Sequence, residues 1–576
     1  MKKLLVYLKP YKKESVISPL FKLLEAIFDL LVPIVVKLII DVGIANKDKP
    51  YIWGMCAVLV LFALVGLACS FIAQYFAAKA AVGFSTGLRG ALFAKIQKFS
   101  YSQTDEVGPS TLMTRMTTDV NQVQSAVNLF LRLFLRSPII VLGSMIMAFT
   151  VSPTNAWIFV VIIPLLSVVV FSIMIKSIPL YKKVQKNLDR VTSVTRENLA
   201  GTRVIRAFGK ENDEVRRFEE ANEDHYRIQN FVGKISALMN PLTLILVNLG
   251  VILILLFGAK AVDTGNLTMG EVVALTNYMA QILVELVKFA NTIFSINKAL
   301  ACANRIETVL STSVEIEIAE TSCEDLAVLA SSVCFDRVSL TYEGDAEPSL
   351  EEISFCVPKG ATVGIIGSTG SGKTSLVNLI PRFYEATDGK VFVNGCDVRS
   401  YQPEVLRQKI ALVPQKAVLF RGSVRSNLLW GNENATDDEL WEALEAAQAK
   451  DFIQAKEGLD TSVSQNGQNF SGGQRQRLTI ARALARKAEI LILDDSSSAL
   501  DYATDAALRK AIKALPYDPT VFLISQRTAS IQHADMIVVL EDGRIVGTGT
   551  HASLLESCEV YREIYDSQFQ KGGEKA

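Results

Sequence analysis

Residues 52–78 run for 27 positions without a single charged side chain. A helix of that composition satisfies its backbone polar groups internally and can lie in hydrocarbon, where about 20 apolar residues span the bilayer. Residues 137–175 are uncharged for 39 positions. As one helix they would reach ~58 Å at 1.5 Å per residue, too long for one crossing. The V-S-P-T-N at 151–155 divides the run into a tight helical hairpin of two spans. Residues 235–259 form another uncharged run, entered at Asn240-Pro241. Residues 272–296 carry only Glu285 and Lys288, and residues 17–40 are interrupted by Lys22, Glu25, Asp29 and Lys37. The pattern predicts six membrane spans, so the first part of the chain has the lipid bilayer as its partner.

Composition fits that division. Half of the 576 residues are hydrophobic and the mean hydropathy is +0.28, with the apolar residues concentrated before about residue 300. The basic N-terminus (M-K-K-L-L-V-Y-L-K-P-Y-K-K) and the Lys- and Arg-rich stretch 181–234 contrast with the uncharged loop at 151–155. The positive-inside tendency therefore predicts cytoplasmic connections at 79–135 and 179–235 and cytosolic N- and C-termini. A formal net charge of zero gives no electrostatic footprint for nucleic acid. The eight cysteines, at 56, 69, 302, 323, 334, 356, 396 and 558, show neither C-x-x-C nor zinc-finger spacing and are expected to be reduced. No cleavable signal is expected, because no short apolar core is followed by a small-residue cleavage site.

Ionisable residues inside spans cost about 2.5–3.5 kcal/mol each on insertion scales and face a cavity or a partner. Glu25 and Asp29 lie four apart on one face of the first span, and Glu285 and Lys288 share a face of the sixth. Lining of a cavity and pairing between helices are both open for these groups. Lys37 and Asp41, near the outer boundary, suggest a surface ion pair.

A polar linker at 306–332 separates the spans from a domain of alternating short strands and helices. There, A-T-V-G-I-I leads into G-S-T-G-S-G-K-T at 367–374 and then into the helical S-L-V-N-L-I. This is a phosphate loop in its strand–loop–helix setting. The backbone amides of Gly367, Ser368, Thr369, Gly370, Ser371 and Gly372 would converge on phosphates, Lys373 would add a point charge, and the Thr374 hydroxyl suits Mg²⁺. A second motif, F-S-G-G-Q-R-Q-R at 470–477, places a serine and two glycines at a helix start, again suited to an anion. The strand I-L-I-L-D-D ends on Asp494, a carboxylate placed to hold a metal.

S-G-G-Q-R-Q-R, about a hundred residues after the phosphate loop and seventeen before Asp494, resembles the ABC signature. With the six spans, the resemblance to an ABC exporter half-transporter covers nearly the whole chain. It implies a fold of helical membrane domain (1–305), linker and cytosolic α/β nucleotide-binding domain (333–576), with ATP and Mg²⁺ as cofactors. It implies that Tyr342 stacks on adenine, that Gln415 contacts Mg²⁺ and the attacking water, that Asp494 holds Mg²⁺, and that S-A-L-D at 498–501 ends on a dimer-sensing Asp501. Ser471, Gly472, Gly473 and Gln474 would serve the nucleotide of a second subunit. The breaks within 105–120 and 197–211 resemble coupling helices.

Three departures fall in the hydrolytic apparatus. Asp495 stands where the family carries a glutamate that polarises water, and Gln526 stands where it carries a histidine beside the γ-phosphate. Ser462 and Gln465 replace residues that are commonly acidic. The signature itself stays nearly consensus, with Phe470 for leucine a mild change. This asymmetry resembles the degenerate-site subunit of a heterodimeric multidrug-type ABC exporter, working with a second half-transporter that retains Glu and His. The expected function is ATP-driven export of a small amphipathic molecule, drug or lipid-like. A homodimeric exporter and an ATP-gated, non-pumping regulator are the alternatives.

Overall fold

The computed structural model describes residues 3–312, 331–342 and 344–569. It separates into two units, Met1–Gln97 with Pro109–Thr312, and Lys98–Gly108 with Ser313–Ala576. Residues 313–330 of the expected linker, with Cys323, lie outside the described residues.

The first unit is helical. Lys49–Ile96, Pro109–Val151, Pro153–Ala207, Glu211–Asp263 and Met269–Ser311 are long and apolar enough to cross a membrane. Lys12–Leu38 is a continuous 27-residue helix that stands outside this set because Lys22, Glu25, Asp29 and Lys37 interrupt it. The expected hairpin turn is present. One helix ends at Val151, Ser152 caps the next by accepting the Asn155 N–H, and Pro153 opens it. The run at 235–259 is entered at Leu238, between the helices Glu211–Ala237 and Met239–Asp263. Pro241 therefore falls in a first turn, where its missing N–H costs no hydrogen bond. The long connections continue the membrane helices, with breaks at 97–100, at Gly108 and at 208–210. The break at Gly108 falls within the 105–120 stretch and that at 208–210 within 197–211, as expected from the sequence.

The charges within the helices pair with one another. Arg136, at the edge of the uncharged run, donates to Glu285 at 2.7 Å and to Asp29 at 2.8 Å, and its Nε lies 3.9 Å from Glu25. Lys22 pairs with Glu25 at 2.6 Å, Lys288 with Glu285 at 3.0 Å, and Ser137 donates to Glu285 at 2.9 Å. The cations Lys22, Arg136 and Lys288 thus balance the carboxylates of Glu25, Asp29 and Glu285 across three helices. The Arg136 and Glu285 side chains are 11% and 5% exposed, whereas Asp29 at 44% and Lys288 at 46% form the open ends. Inter-helix pairing accordingly accounts for Asp29 and Glu285, whereas Glu25 pairs chiefly with Lys22 in its own helix. Lys37 and Asp41 do not pair with each other: Lys37 meets Glu271 at 2.8 Å, and Asp41 accepts the Gly270 N–H at 2.8 Å. Both anchor the start of Met269–Ser311, because the final span opens beside them.

Among the described residues the second unit holds twelve strands: β1 (Ser331–Leu340), β2 (Leu350–Pro358), β3 (Thr362–Gly367), β4 (Asp388–Val393), β5 (Cys396–Asp397), β6 (Ile410–Val413), β7 (Gly422–Ser423), β8 (Ser462–Val463), β9 (Ile490–Asp494), β10 (Thr520–Ile524), β11 (Met536–Glu541) and β12 (Arg544–Gly549). One antiparallel sheet runs β2-β1-β4-β5. The main sheet runs β12-β11-β3-β10-β9-β6, parallel except for the edge strand β12. Its central strands are buried on both faces, as the apolar runs of β9 and β10 require. The register of β1 and β2 sets Cys334 opposite Cys356, with Cα atoms 4.1 Å apart. The sequence did not foresee this facing pair, since strand register, unlike a spacing motif, is not written in the cysteine positions. The short helix Tyr101–Val107 belongs to this unit, where Tyr101 stacks on Phe383 at 4.3 Å and Tyr384 donates to Asp105 at 2.7 Å.

Removing Arg136 leaves Asp29 without its cation and buried Glu285 with only the half-exposed Lys288. Arg136→Ala is expected to destabilise the helical unit by about 3–5 kcal/mol, and Lys288→Ala, at an open end, by less than about 1 kcal/mol. Thermal unfolding in detergent measures both, and equal losses would contradict this account of the network.

Candidate functional site

The main sheet places its functional loops at the carboxyl ends of its parallel strands, where open α/β sheets bind ligands. β3 runs into the 367–374 loop, β9 ends on Asp494, β10 leads to Gln526 and β6 leads to Gln415. Because β10 lies between β3 and β9, Ile524 pairs with both Ile365 and Asp494.

Within the loop, Ser368, Thr369, Gly370 and Thr374 are exposed, while Ser371 and Lys373 are buried. Two glycines are sterically required. A Cβ on Gly367 would lie 2.1 Å from the Leu540 carbonyl oxygen, and Gly372 holds φ +89 with its Cβ position 2.7 Å from the Ser349 carbonyl oxygen. The Lys373 ammonium donates to the Gly367 carbonyl at 3.0 Å, to the Ser368 carbonyl, and to the Ser371 hydroxyl at 3.2 Å. The Thr374 hydroxyl donates to both Asp494 oxygens, at 3.0 and 3.2 Å.

Burial pushes the Asp494 carboxyl above its ordinary range, and the neighbouring Asp495 charge adds to this. Burial also pushes the Lys373 ammonium below its ordinary range, against the attraction of Asp495 and Asp494. A divalent cation at the carboxylate and a polyphosphate at the ammonium would each favour the charged form. The Thr374 hydroxyl, the Asp494 carboxylate and the Gln415 amide oxygen are hard donors of the kind Mg²⁺ takes, with one carboxylate and room for phosphate oxygens. The residues therefore fit the ion.

The remaining expected site residues divide into two groups. Gln415 is exposed and makes no hydrogen bond among the described residues. Tyr342 is half-buried beside the loop helix, donating to Ser375 at 2.7 Å and meeting Tyr384 edge-on at 5.1 Å. Asp495 sits at φ +45, a region that aspartate enters more readily than most side chains, with its N–H donated to the Ile524 carbonyl at 3.1 Å. Gln526 presents an exposed side chain. The second group is the signature. Ser471 accepts the Gln474 N–H at 3.3 Å and Gln474 accepts the Ser471 N–H at 3.1 Å, capping the helix Gly472–Ala485. The Gly473 Cβ position lies 3.0 Å from the Ala499 carbonyl oxygen, so the signature packs on the 498–501 loop. No hydrogen bond joins Ser471, Gly472, Gly473 or Gln474 to residues 367–374 among the described residues. Asp501 caps the helix Tyr502–Lys513 by accepting from Thr504 N–H at 2.9 Å. The Thr504 N–H and hydroxyl hold its carboxyl below the ordinary range.

Residues 15–286 match the ABC transporter transmembrane region family, and residues 350–498 match the ABC transporter family. The ABC transporter ATP-binding protein YfiB of Bacillus subtilis (strain 168) is 36% identical over 577 residues, the whole of both chains. This chain belongs to the ABC transporter family. An ATP-dependent lipid A-core flippase of Thiobacillus denitrificans is 32% identical over 572 residues, 99% of this chain and 98% of that one. A bacterial Atm1-family ABC exporter solved with ATP bound superposes with a TM-score of 0.80 at 23% identity, covering 98% of this chain and 99% of that one, and shares its fold. The protein is thus an ABC transporter with the fold of an exporter, in which a membrane helical domain is followed by an ATP-hydrolysing nucleotide-binding domain that drives transport.

Two side chains at this site escaped the sequence reading. Ser375 follows the loop and anchors Tyr342. Arg527 follows Gln526 and donates to the carbonyls of Ser498 and Leu500, at 3.2 Å each. Adjacency to a motif was the only sequence signal for either.

Lys373→Ala is expected to weaken ATP binding tenfold or more, since a hydrogen bond to a charged group contributes about 1.5–3 kcal/mol. Asp494→Asn should make ATP affinity insensitive to EDTA, whereas EDTA weakens binding in the unaltered transporter. Titration with a fluorescent ATP analogue, with and without chelator, reads both.

Proposed function

We propose that this chain is one half of a heterodimeric ABC exporter and supplies its degenerate ATP site. One contrast carries the reading. Lys373, and Thr374 hydrogen-bonded to Asp494, have the chemistry to hold ATP and Mg²⁺, while the side chains at the hydrolytic positions are a shortened carboxylate, Asp495, and an uncharged amide, Gln526. Glutamine offers hydrogen bonds but does not titrate, and an error of 1 Å in a water-polarising group costs on the order of a hundredfold in rate.

In this reading Tyr342 stacks on adenine and the amides of Gly367 to Gly372 cradle the phosphates. Gln415 completes the metal's ligands and orients water. Mg²⁺, when bound, neutralises charge on the phosphate oxygens during transfer to water. Ser471 to Gln474 close on the partner's nucleotide, and Asp501 lies in the loop by which the two sites sense each other. The intact signature would then complete a competent site on the partner, which retains Glu and His. Closure of the nucleotide domains passes through Tyr101–Val107, as a coupling helix, to six spans that alternate access, with both termini cytosolic in the cytoplasmic membrane. The cargo is a small amphipathic molecule. Relatives named lipid A-core flippase favour the lipid-like end of that class.

Asp495→Glu combined with Gln526→His is expected to raise ATP turnover at this chain's own phosphate loop by on the order of tenfold or more. Steady-state ATPase of the purified chain, alone and with its partner, measures the change. Full-rate hydrolysis by the unaltered chain alone would establish a homodimer and end the heterodimer reading.

A further inference from the structure

The loop that carries Gln526 is strapped from two sides, and one strap comes from the end of the described chain. On one side, Gln568, in the helix Glu559–Phe569, donates from Nε2 to the Gln526 carbonyl at 2.8 Å. Its Oε1 accepts from both the Thr528 N–H and the Thr528 hydroxyl, at 2.9 Å each. One amide thus engages its donor and acceptor ends on residues either side of Arg527. On the other side, the Arg527 guanidinium reaches the Ser498 and Leu500 carbonyls and lies 5.1 Å from the Tyr502 ring centre. Ser530 adds a buried hydrogen bond to Asp505 at 2.9 Å, in the same helix that Asp501 caps. The Gln526 side chain itself makes no hydrogen bond among the described residues. Its position is therefore set by its backbone, and that backbone is set by Gln568 and Arg527.

We infer that Gln568 is a positioning residue: with Arg527 it fixes the main chain on which the switch side chain at 526 is carried, making the helix Glu559–Phe569 part of the nucleotide-sensing apparatus. Neither residue touches substrate. Gln568 holds the height of the 526 side chain, and Arg527 ties that height to the 498–501 loop. The inference rests on the reading that residue 526 faces the γ-phosphate, so its test has one arm that needs that reading and one that does not.

In the first arm, amide hydrogen exchange is followed across 521–530 in the full-length protein in detergent. Gln568→Ala is expected to speed exchange at 525–528 by tenfold or more while the 367–374 peptides stay unchanged. Gln568→Glu is isosteric and keeps the acceptor for Thr528 but lacks the donor for the Gln526 carbonyl, so it should fall between Gln568→Ala and the unaltered protein. In the second arm, the two Gln568 variants are built into the Asp495→Glu, Gln526→His background. There Gln568→Ala should lower kcat by on the order of tenfold to a hundredfold and leave KM for ATP within about twofold, with Gln568→Glu again intermediate. Unchanged exchange at 525–528 in Gln568→Ala would overturn the inference. So would a loss of activity that appears in KM alone, or one that Gln568→Glu does not partly rescue. If the doubly substituted background shows no gain in ATPase while exchange responds as expected, the degenerate-site reading fails and the positioning role stands.

Discussion

The placement of β10 between β3 and β9 is the constraint on which the nucleotide site depends. Parallel pairing on both sides fixes the carboxyl ends of three strands at one level, so the 367–374 loop, the Asp494 carboxylate and the loop that carries Gln526 emerge together. The Thr374–Asp494 contact joins groups 120 residues apart because of that pairing and for no local reason. Once the strands are aligned, the electrostatics follow. A buried carboxylate and a buried ammonium lie near each other, each disfavoured in its charged form until an ion of opposite sign arrives.

In the membrane domain the corresponding constraint is the cost of charge in hydrocarbon. The first helix carries more charge than an isolated span tolerates, and Arg136 offsets it from another helix. A network balanced in charge places Arg136 at its centre, bonded to Glu285, the most buried carboxylate of the three. Its ends, Asp29 and Lys288, are the parts left open. A carboxylate as open as Asp29 is costly against lipid, which favours a second subunit or an aqueous cavity beside it.

The signature illustrates how one sequence motif serves local structure and function at once. Ser471 and Gln474 cap their helix reciprocally, as a serine and a glutamine at that spacing would in any protein. The same turn leaves Gly472 exposed and packs Gly473 on the 498–501 loop. Among the described residues it has no hydrogen bond to the 367–374 loop.

By itself the sequence determined the elements whose signal is local. Apolar runs marked the spans, V-S-P-T-N the hairpin, G-S-T-G-S-G-K-T the phosphate loop and S-G-G-Q the capped signature helix, because length, turn chemistry and capping act over a few residues. Only the tertiary structure decided which distant groups meet. It gave Arg136 to Asp29 and Glu285, Lys37 to Glu271, Cys334 to Cys356, and Gln568 to the backbone at Gln526. These contacts depend on strand register and helix rotation, which burial of the whole chain sets and which no spacing along the sequence encodes.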